Sequence, residues 1–309
     1  MSLQIIAPVL ITDSRLVSSN VPENDLPLYN PAATYDLNDS VMFLGADTHN
    51  LYKSQMVGNI GNLPTNDIQG DVNNPPTHWL LVGKTNRWRM LDRSISTQTR
   101  YTDELVYVFK NLGPFDSVFM NNLEGQFVNI RIIDDFAGVV FDQEFALVSD
   151  RGVTDWYGFY YTPYQAYNEF YLRDLPKYID ALVEITISNP GGMAACGECV
   201  LGLGRELGDL QFGVKTGIND FSRKTKDDFG NWQITEKPYT DYANVSLYVP
   251  SDSAFEVKRF LTELRAKPIV FIGNKDRRTT WIYGFYTDFS ETIQYATESV
   301  FTMEMESLT

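Results

Sequence analysis

Histidine and cysteine are almost missing from this chain. Two of each occur among 309 residues: His49, His78, Cys196 and Cys199. Two cysteines exclude a disulfide-stapled scaffold, which needs several bridges. Two histidines leave little room for Ser–His or Cys–His catalysis, and no Gly-x-Ser-x-Gly signature marks a nucleophile. Both histidines sit among turn formers and are expected as exposed loop residues. Basic residues are in the minority: 25 Lys and Arg against 40 Asp and Glu give a formal charge of −15. Phosphate backbones and anionic lipids repel such a chain, so neither a nucleic-acid partner nor membrane insertion is expected. No stretch approaches the roughly 18–20 uninterrupted apolar residues of a membrane span. The opening run MSLQIIAPVLITDSRL has no basic start, and Thr12 and Asp13 break its apolar part. It does not read as an export signal, so synthesis in a cytoplasm is expected.

The motifs that remain fall short of chemistry. Cys196-Gly-Glu-Cys199 has redox or half-zinc spacing, but a structural zinc site wants four thiolate or imidazole ligands. The pair reads as two small residues in a strand. Gly202-x-Gly204-x-x-x-Gly208 is one residue longer than the dinucleotide pattern and reads as a loop or a bulged strand. Asp134-Asp135 and Asp227-Asp228 are sequence neighbours, which on a strand would point to opposite faces; solvated turns are expected. Asp36, Asn38 and Asp39 lack the twelfth-position Glu of a calcium loop. No catalytic residue, metal or cofactor is assigned, and the chain does not read as an enzyme.

What is present is apolar surface: 43% of residues are hydrophobic and 14% aromatic, enough for real cores. The length fits two or three modules. Residues 1–25 read as an N-terminal arm, apolar from Ile5 to Ile11 and ending in Val21-Pro-Glu-Asn-Asp25. Residues 26–83 read as a small β module, with strands at Val41–Leu44, Leu51–Ser54 and Trp79–Val82 separated by turn formers. Residues 84–193 read as a β-sandwich: Val128, Ile130 and Ile132 alternate with polar residues, as do Val183, Ile185 and Ile187. Residues 194–309 read as β-rich, with strands near Val245–Val249, Ile269–Ile272 and Phe301–Met305 and one clear helix near 253–266. Ser253 and Glu256 have capping-box spacing, Val257, Phe260, Leu261 and Leu264 share a face, and Pro268 ends the run. The fold class is mainly β, built of antiparallel sandwich or jelly-roll-like modules.

Nine aromatics lie between Trp156 and Tyr171. Strand alternation would bury about half of them and expose the rest, with Trp156, Tyr157, Tyr160, Tyr161 and Tyr164 as interface candidates.

The first module resembles the chitin-binding-type carbohydrate-binding modules of families five and twelve. Tyr35-x-x-x-Asp39-x-Val41, Leu51-Tyr52-Lys53-Ser54, Pro64 and Trp79 carry the resemblance. It departs from the family pattern at Asn38, where a Gly is usual, and at Tyr29, where a Trp is usual. The resemblance implies candidate sugar-binding aromatics at Tyr29, Tyr35, Tyr52 and Trp79. Of these, Tyr35, Tyr52 and Trp79 are expected in the module's own core. Most of the chain also resembles bacteriophage and prophage tail-associated proteins that carry this module near the N-terminus. The residues are Ile11-Thr12-Asp13 with Ser18-Ser-Asn-Val-Pro-Glu23, the link Thr85-Asn-Arg-Trp-Arg-Met-Leu-Asp92, and Ile218-Asn-Asp-Phe-Ser-Arg-Lys224 with Asp228-Phe-Gly230. The block after the link is similar in outline to galactose-binding-like sandwiches. The resemblance implies a virion location, self-association and contacts with other tail proteins. The first functional expectation is a structural tail subunit such as a sheath, collar or baseplate-like ring. A receptor-binding adhesin that recognises host-surface glycan is the second, and a polysaccharide hydrolase, for which no carboxylate pair is designated, the third.

Overall fold

The computed structural model describes residues 2–67, 69, 75–149, 155–161, 165–226 and 229–308. The chain is mainly β, in antiparallel sheets, as the alternating patterns require. Three bodies can be traced through its hydrogen bonds.

The first is the small module. Strands Ser40–Leu44, His49–Ser54 and Trp79–Lys84 pair in that order. Val41, Tyr52 and Trp79 form its buried centre, with Tyr29, Tyr35 and Phe43 packed against them.

The second is a sandwich. A five-stranded sheet runs in the order Leu16–Ser19, Thr99–Phe109, Leu182–Cys196, Phe127–Asp134, Gly138–Ala146. Register places Ile185 between Tyr107 and Ile130, and Ile187 between Leu105 and Val128. The alternating residues thus form one inner face. Opposite them lie Val118 and Met120 of strand Ser117–Asn121, Phe170 of strand Glu169–Leu172, and Cys199 and Leu201 of strand Glu198–Leu210.

The third body is a closed barrel. From Glu198–Leu210 the order continues through Ser2–Pro8, Ile269–Ile272, Trp281–Thr292, Glu298–Ser307 and Tyr239–Pro250. Asp209 and Leu210 then pair with Tyr248 and Leu247, which closes the ring. Leu3, Ile5, Val245, Leu247, Phe271, Phe301 and Met303 fill the interior. The helix Ser251–Glu263 buries Ala254, Val257 and Leu261 in the same core, and the C-cap Leu264 joins them. Its apolar face is the expected one, but its start is not. Pro250 is the N-cap, and Ser253 lies one turn inside, its hydroxyl donating to the Pro250 carbonyl at 3.1 Å. The fixed backbone angle of Pro250 sets the start earlier than the Ser–Glu spacing indicates.

One segment departs from its sequence reading, and the glycine run takes the bulged-strand form of its reading. Ser2–Pro8, in the segment read as an arm, is an inner strand, paired with Glu198–Leu210 on one side and Ile269–Ile272 on the other. The glycine run 202–208 lies in the strand opposite it, with Leu207 bulged where the register shifts between Leu3 and Gln4. Glycine is required there by close approach: a Cβ on Gly208 would stand 2.5 Å from the Tyr248 carbonyl oxygen at the barrel seam.

Ile5 is fully buried between those two strands. Ile5→Ala is expected to cost about 2–5 kcal/mol of stability, read from a lower midpoint in urea-induced unfolding. A loss under about 0.5 kcal/mol would show that the first strand is not held in the barrel core.

Candidate functional site

The candidate residues named from sequence fall in three places. Tyr29, Tyr35, Tyr52 and Trp79 come together in the small module, but mainly on one another. Tyr29 stacks on Tyr35 with ring centres 5.9 Å apart, and Trp79 meets both edge-on at 5.8 and 5.2 Å. The Tyr29 hydroxyl and the Trp79 indole N–H both donate to the Asn62 carbonyl, at 2.9 and 2.7 Å. Tyr52 and Trp79 are buried and only Tyr29 and Tyr35 stay half-buried. A core of so few residues needs the area and fixed geometry of aromatic side chains, which leaves little ring face for a ligand.

The second place is an exposed six-residue helix, Trp156–Tyr161, carried between the short paired strands Val148–Ser149 and Gln165–Ala166. Strand alternation does not apply here. Helical spacing instead pairs Trp156 with Tyr160 and Tyr157 with Tyr161, at 6.4 and 4.7 Å between ring centres. Each of these four side chains is more than 70% exposed. Tyr164, the fifth interface candidate, lies outside the described residues, as do Asp227 and Asp228.

The third place is the joint between module and sandwich, where the lead-in and the link of the tail-protein resemblance converge. His49 opens a strand and is buried, not an exposed loop residue. Its Nδ1–H donates to Glu23 Oε1 at 2.6 Å, its Nε2 lies 3.4 Å from Asp13, and its ring packs on Trp88 at 5.3 Å. Glu23 also accepts from Thr85 and Arg87, each at 3.0 Å. The Asp25 carboxylate accepts the Asn86 backbone N–H. On the sandwich side, Trp88 and Met90 sink into the core, and the Tyr107 hydroxyl donates to the Arg87 carbonyl at 2.6 Å. The lead-in and the link are therefore two halves of one polar connector. His78 is half-exposed and packs against Asp67 at 3.2 Å.

Cys196 and Cys199 are free and buried, on either side of the Gly197 corner between two strands. Burial pushes both thiols above their ordinary range, so neither is a ready thiolate near neutral pH. Between them Glu198 is also buried; its carboxyl accepts the Arg93 N–H at 2.8 Å and the Tyr283 hydroxyl at 3.1 Å. Burial, with Asp92 adding repulsion, raises its pKa well above the carboxylate range.

Comparison with protein-family models and with curated proteins returns no match. Among the described residues, no group of three or more His, Cys, Asp or Glu is arranged to hold a metal ion, and no helix is long and apolar enough to cross a membrane.

The feature that sequence reading missed is a projecting hairpin. Strands Arg223–Lys226 and Trp232–Thr235 pair only with each other, beyond the sheet-edge strand Lys215–Asp220. The hairpin exposes Phe229 at 92% and Trp232 and Ile234 at 65% each. It also carries Arg223, Lys224 and Lys226 on a chain of net charge −15. The signal was available as alternation of Trp232 and Ile234 with Gln233 and Thr235, but alternation does not say that the apolar face stays uncovered.

Two expectations follow. Glu23→Ala leaves His49 and Arg87 without their shared acceptor and is expected to cost about 3 kcal/mol in denaturant unfolding. An effect below about 0.5 kcal/mol would mean the connector adds no stability. Glu198 holds its proton more tightly folded than unfolded, so its stabilising effect is complete below the ordinary Glu pKa and declines as pH rises above about 4.5. Glu198→Gln keeps an acceptor for the Arg93 N–H, and its amide N–H can donate to the Tyr283 oxygen in place of the hydroxyl bond that Glu198 accepts. It is expected to flatten the fall in melting temperature between about pH 5 and pH 8. An unchanged pH profile would remove Glu198 as its source.

Proposed function

We propose that this chain is a structural subunit of a bacteriophage tail that assembles with copies of itself into a ring. The carrying observation is the hairpin Arg223–Thr235 with its exposed apolar surface beside a one-sided edge strand. Exposed contiguous aromatic surface on a stable β framework is characteristic of interfaces. A free strand edge supplies backbone hydrogen bonds to a neighbour in register. The hairpin stretch sets Arg223, Lys224 and Lys226 against Asp227 and Asp228, so it lacks the acidic excess of the rest of the chain and repels a second acidic copy less. The exposed helix Trp156–Tyr161 gives a second aromatic patch for contacts with other tail proteins. The resemblance of the lead-in, link and hairpin stretches to tail-associated proteins supplies the phage assignment.

Receptor binding through the small module has weaker support, because its five aromatics, Tyr29, Tyr35, Phe43, Tyr52 and Trp79, are engaged with one another. The module reads better as a spacer held rigidly by the Glu23–His49–Arg87 connector.

Sedimentation velocity and electron microscopy of the purified chain test the reading. A discrete multi-subunit ring is expected. The double variant Trp232→Ser, Ile234→Ser is expected to weaken assembly by about tenfold or more while leaving the monomer folded. A wild-type chain that stays monomeric at about 100 μM and is missing from purified virions would sink the proposal.

A further inference from the structure

Two cavities meet beside the barrel. The larger, about 400 Å³, is lined in part by Asn168, Glu169, Thr216, Asp241, Arg278 and Trp281. The smaller, about 220 Å³, shares Asn168, Glu169, Asp241 and Trp281 with it. The larger cavity lies between the two outermost strands of the nine-stranded sheet, Glu169–Leu172 and Lys215–Asp220, each paired on one side only. Sheet curvature that closes the barrel brings these two edges to face each other, so the slot is a product of the fold.

Its polar groups are held in place. Arg278 Nη1 donates to the Glu169 carbonyl at 2.6 Å, and its guanidinium carbon stands 3.6 Å from the Tyr167 ring centre and 5.0 Å from that of Trp281. The Trp281 indole N–H donates to the Asn274 carbonyl at 2.9 Å. The Glu169 carboxyl is pushed up to about 7, by burial first, with Arg278 opposing and Asp241 adding to the rise. Burial raises Asp241 as well. Arg278 thus sets one positive charge beside two carboxyl groups that burial makes less ready to ionise.

We propose that this slot binds a neutral saccharide, with Glu169 and Asp241 accepting from ring hydroxyls and Arg278 donating to them. Each sugar hydroxyl both donates and accepts, and the slot offers acceptors in Glu169 and Asp241, donors in Arg278, and both in Asn168 and Thr216. Its combined volume falls in the range of roughly 300–1,000 Å³ common for small-ligand sites. Tyr242 lines the larger cavity and Tyr239 the smaller, and both offer aromatic carbon for the apolar face of a sugar ring. The small module has no part in this site, and ring assembly is not required for it.

Saturation-transfer NMR on the full-length chain tests the site with glucose, galactose, N-acetylglucosamine and rhamnose, with citrate and spermidine as charged controls. At least one neutral sugar is expected to bind saturably, with a Kd in the millimolar range or tighter. Glu169→Gln with Asp241→Asn is expected to weaken it by about tenfold or more. Thr216→Trp, on the exposed edge strand, fills the slot from its rim and is expected to do the same if the double variant fails to fold. Trp156→Ser, on the exposed helix, is expected to leave binding unchanged. The proposal is overturned if no neutral sugar binds at about 20 mM, if citrate or spermidine binds in preference, or if neither slot variant weakens binding.

Discussion

Strand Glu198–Leu210 belongs to two cores at once, and the rest of the molecule is arranged around that fact. Its first half sends Cys199 and Leu201 into the sandwich, and its second half sends Leu207 into the barrel. On one edge it pairs first with Ser117–Asn121 and then with Tyr239–Pro250; on the other it holds Ser2–Pro8. A strand with so many partners needs small residues where backbones converge, and the glycines from Gly202 to Gly208 supply them. It begins at a corner packed with Cys196, Glu198 and Cys199, all buried. One layer of the sandwich and the barrel thereby belong to a single nine-stranded sheet, which also holds the strands Ser2–Pro8 and Glu298–Ser307.

The small module solves a different problem. It has too little surface to build a deep core, so it spends its aromatics on itself and is pinned to the sandwich through charge. Glu23 is the centre of that joint, accepting from His49, Thr85 and Arg87. Burial makes such a joint directional: each donor has one acceptor to satisfy, so the module is held in one orientation. A rigid spacer follows from this geometry more readily than a mobile sugar-binding domain.

What the fold leaves uncovered sets the functional reading. The hairpin Arg223–Thr235 and the helix Trp156–Tyr161 expose large aromatics that a lone soluble domain would bury. They lie on loops and extensions, not on the barrel wall, where a neighbour can reach them. The slot at Glu169 and Asp241 is polar, a different kind of surface from the apolar hairpin. The assembly surface and the ligand slot that we propose thus lie on separate parts of the chain.

Local pattern alone determined the strongly periodic elements. Period-two alternation at Val128–Ile132 and Val183–Ile187 marked inner-face strands, and the spacing of Val257, Leu261 and Leu264 marked the helix, because side-chain direction in a strand or helix follows from backbone geometry. The stretches around Thr85–Asp92 and Ile218–Lys224 were visible as distinctive, though not as a joint and a sheet edge. Tertiary structure decided what distant segments do to one another. It buried His49 by bringing Glu23 and Trp88 to it, turned the first residues into a barrel strand, and left the hairpin bare. It also set Glu169 beside Asp241. Pairing partners, burial and the field at a carboxylate depend on residues far away in sequence, and only closure of the barrel brings those together.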